Sequence, residues 1–159
     1  MGKPEVDVHG LLIRRNETLA TAESLTAGEL AALVSGPSGA SRVYLGGVIT
    51  YATALKRDLL GVRAEQVVSA ECAAQMAEGV RDLVKADWGL STTGVAGPDL
   101  QEEQPVGLVY VGVASAAYTS VVRLELDIPT GEEQRALIRS AACQAAIAAL
   151  AERLSAEQP

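Results

Sequence analysis

An α/β fold, a three-layer α/β/α sandwich built on a mostly parallel mixed sheet of about five strands, is predicted by three features of this chain. Segments rich in β-branched residues alternate with amphipathic helical patterns, the signature of parallel strands joined by crossover helices. The last two strand segments are separated only by Ala116-Ala117-Tyr118-Thr119, which predicts a hairpin and hence one antiparallel strand. The 159 residues are 48% hydrophobic but only 3% aromatic, with no Phe. One core of closely packed Val, Leu, Ile and Ala is expected, in a single domain over residues 1–159.

The elements follow in order. Pro4 to Arg15 places Val8, Leu11, Leu12 and Arg15 at helical spacing, and Asn16 ends the helix. Thr18 to Glu23 reads as the first strand. Thr26 followed by Glu29 forms a capping-box pair, predicting a helix from about Ala27 to Val34 that stops at Ser35-Gly36-Pro37. Val43 to Tyr51 is the second strand; Thr53 is expected to cap a short helix closed by Gly61, with Lys56 in its first turn. Ser69 caps a longer helix ending near Asp87, with Cys72, Met76, Val80, Leu83 and Val84 inward. Strands over Gly89 to Val95, Gly107 to Ser115 and Ser120 to Asp127 follow. Thr130 with Glu133 is a second capping box, opening a final helix to about Leu154 that turns Leu137, Ala141, Ile147 and Leu150 inward.

Composition excludes several classes of function. A net charge of −7 argues against a nucleic acid held through its phosphates, which needs clustered Lys and Arg. The two cysteines, Cys72 and Cys143, form no CxxC or CxxH pair, so no zinc, haem or other metal site and no cofactor is expected, and both read as core thiols in a reducing compartment. Pro4, Glu5 and Asp7 interrupt any signal peptide, and no apolar run reaches the roughly 18 residues that a membrane span requires. A soluble, cytoplasmic protein acting on a small molecule, with no membrane partner, is the expectation.

In sheets of this kind sites gather at the carboxyl ends of the strands. The loops there hold Thr21 to Ser24, Tyr51 to Lys56, and Gly94 to Pro98. The one histidine, His9, falls in the first helix, which excludes a Ser-His-Asp triad in practice and disfavours a Cys-His pair. A serine nucleophile would need another base. Lys56 is the candidate, since an amine can take a proton if desolvation or a helix N-terminus lowers its pKa; alternatively it is a solvated surface lysine. Ser24 sits ahead of a helix, where the backbone N–H groups of Ala27 and Gly28 can face an oxyanion or phosphate, or else it is a loop serine bonded to its neighbours.

Together, Thr21-Ala-Glu-Ser-Leu-Thr-Ala-Gly28, Gly47-Val-Ile-Thr-Tyr51 with Lys56 five residues on, Gly94-Val-Ala-Gly-Pro98 and Pro105-Val-Gly107 resemble, in order and spacing, the CinA C-terminal domain family, over nearly the whole chain. That family includes bacterial nicotinamide-nucleotide amidases, Ser/Lys hydrolases that convert nicotinamide mononucleotide to nicotinate mononucleotide and ammonia in pyridine-nucleotide salvage. The resemblance implies that Ser24 is the nucleophile, Lys56 its base and Tyr51 a residue that orients the pair. It further implies that Glu23, Thr26, Ala27, Gly28, Gly94, Ala96 and Gly97 surround a nucleotide substrate, with Glu23 able to hold Lys56. Arg135 and Arg139 resemble two arginines at the start of the family's last helix; Arg135 is expected to meet the phosphate. The cofactor-like amino-terminal domain of longer members is not matched, so a stand-alone form is expected, as a homo-oligomer, most simply a dimer.

The chain departs from the family where Leu25 and Ala27 replace cysteine and glycine, where Leu100-Gln101 replaces a Gly-Gly pair and where Gln104 replaces a lysine. These departures leave two alternatives open: a non-catalytic nucleotide-binding or interaction module of the same fold, and an amidase with a different amide substrate.

Overall fold

The computed structural model describes residues 6–156. Its elements are α1 (Val8–Arg15), β1 (Leu19–Glu23), α2 (Glu29–Ser35), a single 3₁₀ turn (Ala40–Arg42), β2 (Tyr44–Ile49), α3 (Thr53–Leu60), α4 (Ala70–Val84), β3 (Trp88–Gly94), β4 (Leu108–Ala114), β5 (Thr119–Glu125) and α5 (Gln134–Ala156). The expected start of the first helix at Pro4 lies outside the described residues. Asp7 caps α1 by accepting from the Gly10 N–H, and Asn16 closes it in the left-handed conformation at φ 54°.

The five strands form one mixed sheet in the order β2-β1-β3-β4-β5. β1 pairs in parallel with β2 and β3, whereas β4 is antiparallel to both β3 and β5. Only β4 therefore runs against the rest, and β4–β5 is the expected hairpin. Trp88, Leu30, Ile138, Leu150 and Leu154 fill the layer between the sheet and α1, α2 and α5. Ala20, Ala22, Leu60, Met76 and Val80 fill the opposite layer, beneath α3 and α4. Gly89 and Gly112 let α4 lie directly on the sheet: a Cβ there would come within 2.0 Å of Ala77 O and 2.3 Å of Ala73 O. Truncating Met76 in this close-packed layer would cost about 2–5 kcal/mol.

Three local expectations are corrected. Thr26 does not cap α2: Ala27 and Gly28 take positive φ (44° and 100°) and delay the helix to Glu29. Thr53 is the first residue of α3 rather than its cap, the cap being Ala52, although Gly61 closes the helix as expected at φ 68°. In the last two helices the inward face is shifted. α4 ends at Val84 with Lys85 left-handed, leaving Leu83 exposed. In α5, Leu137 is exposed while Ile138 and Ala142 are buried. Alanine on most sides of α5 gives the hydrophobic pattern little contrast, so a shift of one residue is invisible in the sequence.

Candidate active site

Because β1, β2 and β3 are parallel, their carboxyl ends lie on one edge of the sheet, and the segments leaving them meet there. Ser24 follows β1, Thr50 and Tyr51 follow β2, and Val95 to Gly97 follow β3. Ser24, Leu25, Tyr51, Gly94, Ala96, Gly97 and Arg135 line a cleft of about 370 Å³ together with Val95, Pro98, Asp99, Leu100 and Gln101. That volume is in the range of roughly 300–1,000 Å³ typical of small-molecule sites.

Among the described residues Lys56 is the one lysine carried into the core. Its neighbours on α3 are exposed, yet Lys56 is 1% exposed. Its Nζ lies 2.9 Å from Ser24 Oγ, 2.6 Å from the Thr50 carbonyl and 3.2 Å from the Tyr51 carbonyl. Burial lowers its pKa from the ordinary lysine value, outweighing the opposing effects of Cys72 and Glu102. A protonated amine donates to all three oxygens. Once deprotonated it keeps two N–H groups for the two carbonyls, and its lone pair is left facing the Ser24 hydroxyl. Such an arrangement can serve as a general base. Cys72 does not compete as a nucleophile, since burial pushes its thiol up to about 11 and only a thiolate is reactive.

The turn that carries Ser24 is pinned residue by residue. Ser24 N–H donates to the Thr92 carbonyl of β3 at 3.1 Å, and Ala27 N–H donates back to the Ser24 carbonyl at 3.1 Å. Glu23, 1% exposed, points away from Lys56. Its carboxylate accepts from the N–H groups of Leu30 (2.8 Å) and Ala31 (3.1 Å) and from the Thr26 hydroxyl (2.6 Å). Glu23 thus caps α2 from seven residues upstream, the role expected of Thr26, and a carboxylate at a helix N-terminus is electrostatically favoured there. Thr26 also bonds Thr92 Oγ1 at 2.8 Å. Glu23, Thr26, Ala27 and Gly28 therefore build the turn from behind and are not among the residues lining the cleft.

The two arginines divide the work. Arg135 donates to the Gly97 carbonyl (2.6 Å) and to Tyr51 Oη (2.8 Å), bridging the cleft mouth. Arg139, four residues on, reaches the turn instead, donating to the carbonyls of Leu25 (3.0 Å) and Thr26 (3.2 Å). Leu25, at the altered motif position, is 4% exposed and packs in the core, whereas Leu100 is 64% exposed. Two further polar residues went unseen in the sequence. Thr92 ties the Ser24 turn to β3, and Glu102 accepts from the N–H groups of Val68 (2.8 Å) and Val67 (3.1 Å). No local motif signals either, because each partner is distant in the chain.

Fold and cleft together define an α/β protein with a buried lysine set against a serine at the carboxyl edge of a mixed sheet. The chain belongs to the CinA C-terminal domain family, whose model matches residues 2–154. It is 47% identical over 129 residues to a CinA-like protein of Frankia casuarinae, covering 77% of this chain and 30% of the relative. A CinA-like protein of Acaryochloris marina is 46% identical over 129 residues, covering 77% and 31%. The chain thus spans under a third of the length of these curated relatives. Among solved structures, a competence-damaged protein (CinA) superfamily protein of Klebsiella pneumoniae matches with TM-score 0.86 and 33% identity, over 94% of both chains. The competence/damage inducible protein CihA of Agrobacterium tumefaciens matches with TM-score 0.78 and 30% identity, over 98% of this chain and 99% of that one. Among the described residues no helix is long and apolar enough to cross a membrane.

Proposed function

We propose that the chain is an amidohydrolase that converts nicotinamide mononucleotide to nicotinate mononucleotide and ammonia. The observation that carries this reading is the buried Lys56 amine, 2.9 Å from Ser24 Oγ and held by two carbonyls. Ser24 Oγ attacks the carboxamide carbon while Lys56 takes the hydroxyl proton; the tetrahedral intermediate collapses as Lys56 returns that proton to the leaving nitrogen, releasing ammonia. Water then attacks the acyl-serine, Lys56 accepts its proton and passes it to Ser24 Oγ, and the carboxylic acid leaves. The cycle as written requires neither metal nor cofactor. Arg135, exposed at the cleft mouth, supplies a guanidinium for the phosphate by turning from Gly97 or Tyr51.

The test is ammonia release from nicotinamide mononucleotide by the wild type and Ser24→Ala. Turnover lost in Ser24→Ala supports the reading, and turnover kept in it contradicts the nucleophile. Leu25 and Leu100, which line the cleft in place of the family's smaller residues, favour a second reading: the same chemistry on another amide. A panel of nicotinamide riboside, free nicotinamide and aliphatic amides separates the two. Binding of the nucleotide without turnover would favour the non-catalytic module.

A further inference from the structure

The outer wall of the cleft is a loop with almost no packing of its own. Pro98, Asp99, Leu100 and Gln101 line the cleft and all four are exposed. The loop is folded back by an isolated bridge between Gln101 and Gln104, across Glu102 and Glu103, whose φ values are 51° and 62°. Two consecutive non-glycine residues in the left-handed region are costly and persist only where surrounding contacts hold them. The contact present is the Glu102 carboxylate, which takes one oxygen to Val68 N–H at 2.8 Å and the other to Val67 N–H at 3.1 Å. Val67 is itself anchored, since its carbonyl accepts from Thr93 Oγ1 of β3 at 2.6 Å. The carboxylate therefore ties the exposed wall to the sheet through one side chain.

We propose that Glu102 is a positioning residue: it latches the 98–104 wall over Ser24, and so sets how tightly the cleft holds the aromatic amide without changing the reactivity of the serine. Its substrate side rests on the amidase reading above. Glu102 touches neither Ser24 nor Lys56 by hydrogen bond; its partners are backbone amides. Removing the charge and one of the two accepting oxygens loosens the wall, which lowers the fraction of molecules with a formed cleft and weakens apparent affinity by that fraction.

The probe is pyridine-3-sulfonyl fluoride, which reports the serine and its base without an amide being cleaved: Ser24 Oγ attacks sulfur, Lys56 takes the proton and fluoride leaves. Saturable labelling gives a binding constant KI and a limiting rate kinact for wild type, Glu102→Gln and Glu102→Asp. It is measured on the alkaline plateau, so that the lost charge near Lys56 does not alter the rate. Glu102→Gln is expected to raise KI about tenfold, equivalent to about 1.4 kcal/mol, with kinact within about twofold. Glu102→Asp, which keeps the charge on a shorter arm, falls between. Hydrogen exchange at Val67 and Val68 should quicken in Glu102→Gln while β3 stays protected. An unchanged KI, or a kinact that falls while KI holds, overturns the proposal, as does undiminished protection of Val67 and Val68. Wild type that labels at Ser24 yet releases no ammonia from the nucleotide would defeat the substrate assignment alone, leaving the latch to be judged on KI.

Discussion

The two sides of the cleft are built in opposite ways. The inner side, Glu23 to Thr26 with Lys56, is sunk into the sheet edge, and each carboxylate oxygen and amine hydrogen in it meets a named partner. The outer side, Pro98 to Gln104, is exposed through Glu103 and rests on one carboxylate and one bridge. Reactivity demands the first arrangement, because a lysine becomes a base at neutral pH only when water is kept from it. Selection of a ligand tolerates the second. Damage to the inner side should therefore strike the rate or the fold, and damage to the outer side should strike affinity.

The largest effect is expected at Lys56. Lys56→Met keeps the volume and removes the base, and should lower kcat by about 10³-fold or more while the thermal unfolding profile is retained. The pH dependence has a definite sign. The pKa of Lys56 is lowered by burial, so the folded protein binds fewer protons than the unfolded chain between the folded value and 10.5. Stability and activity should both rise with pH on passing upward through the lowered pKa, and the rise in stability should be missing in Lys56→Met, as read by urea unfolding at several pH values.

Next is Glu23. Glu23→Ala orphans the Leu30 and Ala31 amides of α2 and leaves the Thr26 hydroxyl with Thr92 Oγ1 alone, and should cost about 3 kcal/mol in urea unfolding. A loss of activity without a loss of stability would break the distinction between the two sides. Arg135→Ala, at the exposed mouth, should raise KM for the mononucleotide about tenfold with kcat little altered, and should leave KM for the phosphate-free riboside unchanged. The smallest effect is expected at Thr50, whose hydroxyl is buried with no hydrogen-bond partner among the described residues. Thr50→Val removes that orphan and keeps the carbonyl used by Lys56, and should stabilise by about 1 kcal/mol with full activity.

The same contrast explains what could be read from the sequence. Ser24, Tyr51 and Lys56 stand in short linked motifs at strand ends, and the parallel pairing that puts those ends on one edge follows from the alternation of elements; the mixed sheet and its hairpin were legible for that reason, whereas the strand order was not. Glu23 was legible only as a motif member. Its capping of α2 depends on the left-handed Ala27–Gly28 pair, whereas the Thr26/Glu29 spacing satisfied a local rule that the turn overrides. Arg139 could be placed near the site but not on the Leu25 and Thr26 carbonyls, because that requires the rotation of α5, whose alanines conceal it. Glu102 had no signature, since its partners lie 34 and 35 positions away.

On the amidase reading Lys56, neutral and buried, activates Ser24. It is tested most directly by the rate at which a small fluorophosphonate labels the protein across pH, with the modified residue located by peptide mass spectrometry. Labelling at Ser24 should rise through a pKa below that of ordinary lysine, and Lys56→Met should label about 10³-fold more slowly and without that rise. Labelling of Lys56→Met at the wild-type rate, or modification at a residue other than Ser24, would contradict it.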